Sequence, residues 1–346
     1  MSKPELILMG EYPVADMAAL EADYLVHRYW EASDKAAFLA GHANSVRAIA
    51  TRGDLGASRE VINALPKLEI ISCFGVGVDA IDLVAARARE IKVTTTPNVL
   101  NEDVADLALA LMLGIARQIP QADAFTRSGK WANGAFPLLT RMNGKRLGIL
   151  GLGRIGMAIA RRAEGFAMSI SYCTRSKRED VSYRHFAEAK ELASHSDFLV
   201  AILPGGEGTS KIINAEVLRA LGPKGYYINV ARGSVVDEPA LLEALENNAI
   251  AGAALDVFWN EPNLNPRFLS LQNVVLHPHG GSGTVETRAA MGKLVRDNLA
   301  AHFLADPELY WRLCDANNAM RPEELTESLA RVLRITLPQG VAGVAL

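Results

Sequence analysis

Cysteine is scarce in this chain: Cys73, Cys173 and Cys314 are the only three among 346 residues. They are odd in number and widely spaced, which argues against a disulfide scaffold or a cysteine metal framework, and no metal is expected. Cys73 and Cys173 sit in apolar strand-like runs, so they are expected to be buried rather than reactive. Charge of one sign is also lacking. The formal net charge is −3, too balanced for a nucleic-acid surface. No apolar run is long enough to span a bilayer. The charged opening Met1-Ser2-Lys3-Pro4-Glu5 has no secretory apolar core. These absences together predict a cytoplasmic protein with neither nucleic-acid nor membrane partners.

What is present suits a globular chain with ample core: 49% hydrophobic and 22% charged residues. The length fits one to three domains, with two the natural reading. In the first part, short apolar runs at residues 6–9, 47–50 and 70–73 alternate with helical patterns. Such alternation predicts a parallel sheet covered by helices. A long helix is predicted to start near Asn101, with Val104, Leu107, Ala108, Leu111, Met112 and Ile115 at helical spacing, and to join two domains. Residues 126–143, rich in Gly, Trp and Pro, read as a loop. Further strands are predicted at about 147–150, 169–173, 198–203, 225–230, 251–256 and 274–277. From about Thr284, a helix through Met291, Leu294, Val295 and Leu299 could return to the first domain.

The segment Arg146-Leu147-Gly148-Ile149-Leu150-Gly151-Leu152-Gly153-Arg154-Ile155-Gly156 is the most informative. A buried strand runs into Gly-x-Gly-x-x-Gly, and residues 157–163 then read as a helix. That context turns a weak motif into a fairly strong one. Gly151 permits the tight turn, Gly153 lets backbone N–H groups approach a pyrophosphate, and Gly156 lets helix and strand pack closely. Arg154 and Ile155, between the last two glycines, count with them as cofactor-binding. The helix N-terminus adds partial positive charge. The fold expected is α/β, with two open doubly wound parallel-sheet domains. A Rossmann cofactor domain (98–283) would be inserted into a discontinuous, flavodoxin-like substrate domain (1–97 and 284–310). Residues 311–346 fit neither. Arg321-Pro322-Glu323-Glu324 resembles a helix start followed by Leu325, Leu329 and Leu333, and 340–346 looks like an unstructured tail.

Three later segments point to an enzyme. In Ile228-Asn229-Val230-Ala231-Arg232-Gly233 a lone Arg stands at the C-terminal edge of a strand, where ligands bind in open α/β sheets. Its guanidinium suits a carboxylate or a polarised carbonyl, although a surface salt bridge is the alternative. In the second segment Asp256 closes a strand, and Glu261 follows before Pro262. In the third, His277-Pro278-His279-Gly280-Gly281, His279 follows another strand of the same sheet. A His there can move a proton near neutral pH, and the Glu can orient it and raise its pKa. His277 competes for the role, but its place at the strand end before Pro278 favours a structural part. His27, His42, His185, His195 and His302 have no such context.

With these segments in one order, the chain resembles the D-isomer-specific 2-hydroxyacid dehydrogenases. The likeness extends to Phe74-Gly75-Val76-Gly77-Val78-Asp79 and Thr96-Pro97-Asn98-Val99-Leu100, and it covers roughly residues 45–305. The resemblance implies roles. Arg232 would bind the substrate carboxylate and keto oxygen, His279 would donate the proton, and Glu261 would pair with His279. Backbone N–H groups of Val76 and Gly77 would hold the carboxylate. Asp256 would bind the nicotinamide carboxamide, and Val230, Ala231 and Gly281 would line the nicotinamide site. Orientation and charge stabilisation fall to the protein, and the hydride to the cofactor.

One position departs from the commoner pattern. An NAD site usually has Asp or Glu at the end of its second strand, about twenty residues beyond the glycines. Here that strand runs into Thr174-Arg175-Ser176-Lys177-Arg178. A 2′-phosphate would meet a guanidinium, a hydroxyl and nearby cations, so Thr174, Arg175 and Ser176 are expected to bind NADP, with an exposed basic turn as the alternative. The arrangement resembles the NADP-dependent glyoxylate/hydroxypyruvate reductase branch, as does Lys130-Trp131 followed by Gly134-Ala135-Phe136-Pro137-Leu138. That likeness implies a homodimer whose Trp131 approaches the partner's substrate site; simple interface or core packing is the other reading of Trp131. The expected activity is NADPH-dependent reduction of small 2-keto acids. Phosphoglycerate- or formate-dehydrogenase chemistry and a non-enzymatic cofactor sensor are the competing readings. An intact Arg232, Glu261 and His279 argues against the sensor.

Overall fold

The computed structural model describes residues 3–304. Cys314 and the expectations for residues 311–346 lie outside the described residues. The described residues divide into two compact units: those up to Val99 together with 288–304, and Leu100–Thr287.

The first unit contains β1 (Glu5–Leu8), α1 (Val14–Asp23), β2 (Leu25–Arg28), α2 (Lys35–His42) and β3 (Val46–Arg52). It continues with α3 (Arg59–Ala64), β4 (Ile70–Phe74), α4 (Leu83–Ala88) and β5 (Lys92–Thr94). The strands form one parallel sheet in the order β2-β1-β3-β4-β5. Interior strand β4 is buried along its whole length, as a strand covered on both faces must be. Its Ile71 shares one core with Ile7, Ile49 and Ile62. Side chains start the short helices: Asp34, Ser58 and Asp82 accept hydrogen bonds from Ala37, Val61 and Ala85 N–H. Such caps are each worth about 1 kcal/mol.

The second unit opens with α5 (Asn101–Ala116) and α6 (Ile119–Arg127). Then come β6 (Arg146–Leu150), α7 (Arg154–Glu164), β7 (Ser169–Cys173), β8 (Arg184–Phe186), α8 (Ala189–Ser194) and β9 (Phe198–Ala201). The remainder is α9 (Ala215–Leu221), β10 (Tyr226–Asn229), α10 (Glu238–Glu246), β11 (Gly252–Leu255), β12 (Val274–Leu276) and the start of α11 (Val285–Phe303). Its sheet is parallel, in the order β12-β11-β10-β9-β6-β7-β8. The order reverses beside β6, whose C-terminal end carries the glycine-rich turn. That switch point is where doubly wound sheets bind ligands. The chain is thus α/β with two doubly wound parallel sheets. Of the two orders, the first is flavodoxin-like and the second Rossmann-like.

The structure adds elements that the sequence pattern does not announce, namely β2, β5, β8 and α6. The segment read as a loop from residue 126 is also more ordered than expected. Helix α6 continues to Arg127, and a 3-10 turn covers Lys130–Asn133. No helix among the described residues is long and apolar enough to cross a membrane. Cys73 and Cys173 are both buried, as their apolar surroundings predicted.

Candidate active site

In the second unit the expected site residues gather at the C-terminal ends of the strands. The turn after β6 is built by its glycines. Gly151 has φ +104°, and a Cβ there would lie 2.5 Å from the Ile202 carbonyl oxygen. A Cβ on Gly156 would lie 2.2 Å from the Gly151 carbonyl oxygen, so α7 could not pack so close to β6 with any larger residue. Gly153 differs. Nothing lies within 4 Å of where its Cβ would stand, yet its backbone angles, φ −80° and ψ −159°, suit any residue. Its bareness serves neither packing nor strain. Gly153 caps α7 without a side-chain hydrogen bond, leaving N–H groups at the helix start for an anion. Arg154 is exposed and Ile155 half-buried. This cradle fits a dinucleotide pyrophosphate.

After β7, Thr174 is half-buried while Arg175 and Ser176 are exposed. The Thr174 hydroxyl donates to the Ser176 carbonyl at 2.6 Å and so shapes the turn. The neighbouring cations are less available than the sequence suggested. Arg178 binds Asp180 and donates from Nη1 to the Leu152 carbonyl at 2.7 Å, and Lys177 lies 3.5 Å from Glu179. Arg175 is in no ion pair among the described residues.

The loop after β10 is organised by Asn229, which is fully buried. Its Oδ1 accepts the Ala231 N–H and its Nδ2 donates to the Arg232 carbonyl, both at 3.0 Å. Val230 and Ala231 are buried. Arg232 donates from Nη1 to the Ala231 carbonyl at 2.7 Å. Gly233 is needed because a Cβ there would sit 2.1 Å from the Phe258 carbonyl group, on the loop after β11. Two strand-end loops are thereby pressed together.

Glu261 lies on that second loop. Its Oε1 accepts the Phe258 N–H at 2.7 Å, and its Oε2 is 2.5 Å from His279 Nδ1. The Glu261 hydrogen bond raises the pKa of His279 against the opposing effect of burial, and the Glu261 and Asp256 charges add to it. Burial pushes Glu261 upward, but the hydrogen bonds from His279 and Phe258, with the charges of His279 and Arg232, bring it below the ordinary carboxylate value. The sequence expectation of a pair therefore corresponds to a short hydrogen bond here. His279 itself has φ +49°.

Asp256 is 2% exposed. Its Oδ1 lies 2.6 Å from His277 Nδ1 and accepts the Gly280 N–H at 2.7 Å, and its Oδ2 accepts the Gly281 N–H at 3.0 Å. Asp256 and His277 thus clamp the loop on which His279 rides. Sequence reasoning gave this clamp to neither residue. Gly281 leaves no spare room, since a Cβ would lie 3.1 Å from Asp256 Oδ2 and 3.3 Å from Val104.

In the first unit, the turn after β4 carries Val76 and Gly77. Gly75 has φ +146°, and its N–H donates to Thr96 Oγ1 at 3.1 Å. Val76 is exposed, and neither its N–H nor that of Gly77 has an acceptor among the described residues. Two unused donors beside each other suit a carboxylate. Arg288, which the sequence reading passed over, lies with its guanidinium 5.5 Å from the Phe74 ring centre and adds positive charge at this end of β4.

Residues 109–281 match the family described as D-isomer specific 2-hydroxyacid dehydrogenase, NAD binding domain. The chain is also 49% identical over 290 residues to a hydroxyphenylpyruvate reductase from Plectranthus scutellarioides, covering 84% of this chain and 93% of that one. This chain belongs to the D-isomer-specific 2-hydroxyacid dehydrogenases. Another relative of the dehydrogenase is a glyoxylate/hydroxypyruvate reductase A from Arabidopsis thaliana, 48% identical over 82% of this chain and 91% of that one. Among solved structures, a 2-hydroxyacid dehydrogenase from Ketogulonicigenium vulgare Y25 superposes with a TM-score of 0.84 at 51% identity, over 89% of this chain and 97% of that one. An NADPH-dependent glyoxylate/hydroxypyruvate reductase from Sinorhizobium meliloti, in complex with NADP and malonate, gives 0.83 at 46% identity, over 87% and 94%. The dehydrogenase is therefore an oxidoreductase of 2-hydroxy acids that carries its family's NAD-binding domain.

Proposed function

We propose that this dehydrogenase works as a reductase, converting small 2-keto acids such as glyoxylate and hydroxypyruvate to 2-hydroxy acids with NADPH. The observation that carries the reading is the His279–Glu261 hydrogen bond at 2.5 Å, on strand-end loops of the sheet that also presents Arg232. The names of the Arabidopsis and Sinorhizobium relatives agree with it.

The residues divide the work as follows. On the first unit, the N–H groups of Val76 and Gly77 suit a carboxylate. The Arg232 guanidinium binds carboxylate and keto oxygen, stabilising the negative charge that grows on that oxygen. The glycine-rich turn, Asp256, Val230, Ala231 and Gly281 would hold a nicotinamide cofactor, which would supply the hydride when bound. His279 gives its Nε2 proton to the oxygen, because Nδ1 is engaged by Glu261. Glu261 fixes the tautomer and favours the imidazolium before transfer. With its side chain 43% exposed, His279 can be reprotonated from water.

NADPH rather than NADH is proposed from the end of β7, where Thr174, Arg175 and Ser176 stand in place of an acid and Arg175 has no acidic partner among the described residues. A homodimer is proposed from the segment after α6. Trp131 is 68% exposed and Leu138 wholly so, which leaves apolar surface for a second copy to cover. The first unit is then the substrate domain and the second the cofactor domain, in a cytoplasmic enzyme.

The test is initial rates with NADPH and with NADH across a panel of keto acids. NADPH should give the higher kcat/KM with glyoxylate or hydroxypyruvate by at least about 10-fold, since charged hydrogen bonds to the phosphate contribute about 1.5–3 kcal/mol. Equal or better efficiency with NADH would refute the cofactor assignment.

A further inference from the structure

At the N-terminal edge of the first unit's sheet, two histidines without sequence context meet on one carboxylate. Glu5 opens β1 and pairs with Leu25 in the parallel register, so His27, two residues on, shares its face of the sheet. His27 Nε2 lies 2.7 Å from Glu5 Oε2. His42, the last residue of α2, brings Nδ1 to 3.9 Å from the same oxygen. All three atoms lie within 4.8 Å of one another. The Ser45 hydroxyl donates to Glu5 Oε2 at 2.7 Å, and Phe38 packs edge-on against the His42 ring. The side chains are 16–27% exposed, sheltered yet open to a small solute.

We propose that Glu5, His27 and His42 form a binding site for a divalent transition metal of the Zn²⁺ class, separate from the reductase machinery. Val76 and Gly77 follow the C-terminal end of β4, at the opposite edge of the same sheet. The donor set is two imidazoles and one carboxylate. Nitrogen donors select Zn²⁺, Co²⁺ or Ni²⁺ and disfavour Mg²⁺ and Ca²⁺, which require oxygen shells. Tetrahedral ligands about 2.0–2.1 Å from zinc stand about 3.3 Å from one another. The His27–Glu5 contact must therefore open by about half an ångström, and His42 Nδ1 must close by a similar amount. The imidazole rings lie with centroids 3.8 Å apart and their planes tilted by 32°, so His42 must also turn about its ring bond to aim its lone pair at the metal. Ser45 then orients the ligating carboxylate, and the fourth position falls to water. The ion would tie β2, an edge strand of only four residues, to β1 and α2.

The experiment uses the full untagged chain, stripped of metal with a chelator and dialysed. Co²⁺ is titrated and followed by its visible absorption. Zn²⁺ is then measured by competition with a chromophoric chelator, and thermal unfolding is recorded with and without Zn²⁺. One equivalent per chain at micromolar concentration, a Zn²⁺-dependent rise in Tm, and no displacement by millimolar Mg²⁺ are expected. Ser45→Ala should weaken binding by about 10-fold. His27→Gln and His42→Gln should weaken it further and remove the Tm rise, while their metal-free Tm values verify that they fold. No binding by the parent chain overturns the proposal. Binding that survives in the His27→Gln/His42→Gln double variant, or that Mg²⁺ displaces, also overturns it.

Discussion

Replacing Glu261 with Gln keeps the shape of the side chain and removes its charge. In the native chain Glu261 Oε2 is 2.5 Å from His279 Nδ1, and this contact is the main cause of the raised His279 pKa. A hydrogen bond to a charged partner contributes about 1.5–3 kcal/mol. The His279 side chain is 43% exposed, so solvent screening places the effect in the lower part of that range or below it. Losing it lowers the His279 pKa. The sign follows from the reaction. Reduction needs protonated His279, so activity falls as pH rises through its pKa, and lowering that pKa moves the basic limb to lower pH. Glu261→Gln should shift that limb to lower pH in kcat/KM for the keto acid, with NADPH saturating. Activity at the acid end should be far better preserved. A limb that stays in place or moves upward refutes the pairing as the source of the raised pKa.

Other consequences can be checked separately. Gly153→Val should leave Tm nearly unchanged, because its Cβ position is open, yet weaken NADPH binding at least 10-fold by fluorescence titration. Gly151→Val should instead lower Tm by several degrees, since φ is +104° and the Ile202 carbonyl oxygen blocks the added atom. Arg175→Asp should reduce the NADPH/NADH ratio of kcat/KM by at least about 10-fold by placing a carboxylate against the phosphate; an unchanged ratio would exclude Arg175. Light scattering at micromolar concentration should give the mass of two chains, and Trp131→Ala should weaken keto-acid use more than NADPH binding.

The central strands were legible because they are buried on both faces and therefore read as apolar runs. The pattern places β6, β7 and β10 to within a residue or so at each end. The strands it passes over, β2, β5 and β8, all stand at sheet edges. They are three or four residues long, include Arg, His or Lys, and are half-covered, so no run or alternation marks them. The same contrast holds in the site. Arg232, Glu261 and His279 were visible because rare chemistry stood at strand ends. The Asn229 bonds that shape the Arg232 loop, and the Asp256–His277 clamp under His279, depend on which loops meet in space. His27 and His42 were opaque for the same reason, since Glu5 reaches both only through strand register and the end of α2.

The most direct test of the account is steady-state oxidation of NADPH with glyoxylate by the parent chain and by His279→Asn, which retains a polar side chain but cannot donate an acidic proton. The parent should turn over. The variant should bind NADPH normally and lose about 10²–10⁴-fold in kcat across the pH range, the span expected for removing a general acid. A parent that does not consume NADPH with any small 2-keto acid, or a variant within 10-fold of the parent, would contradict it.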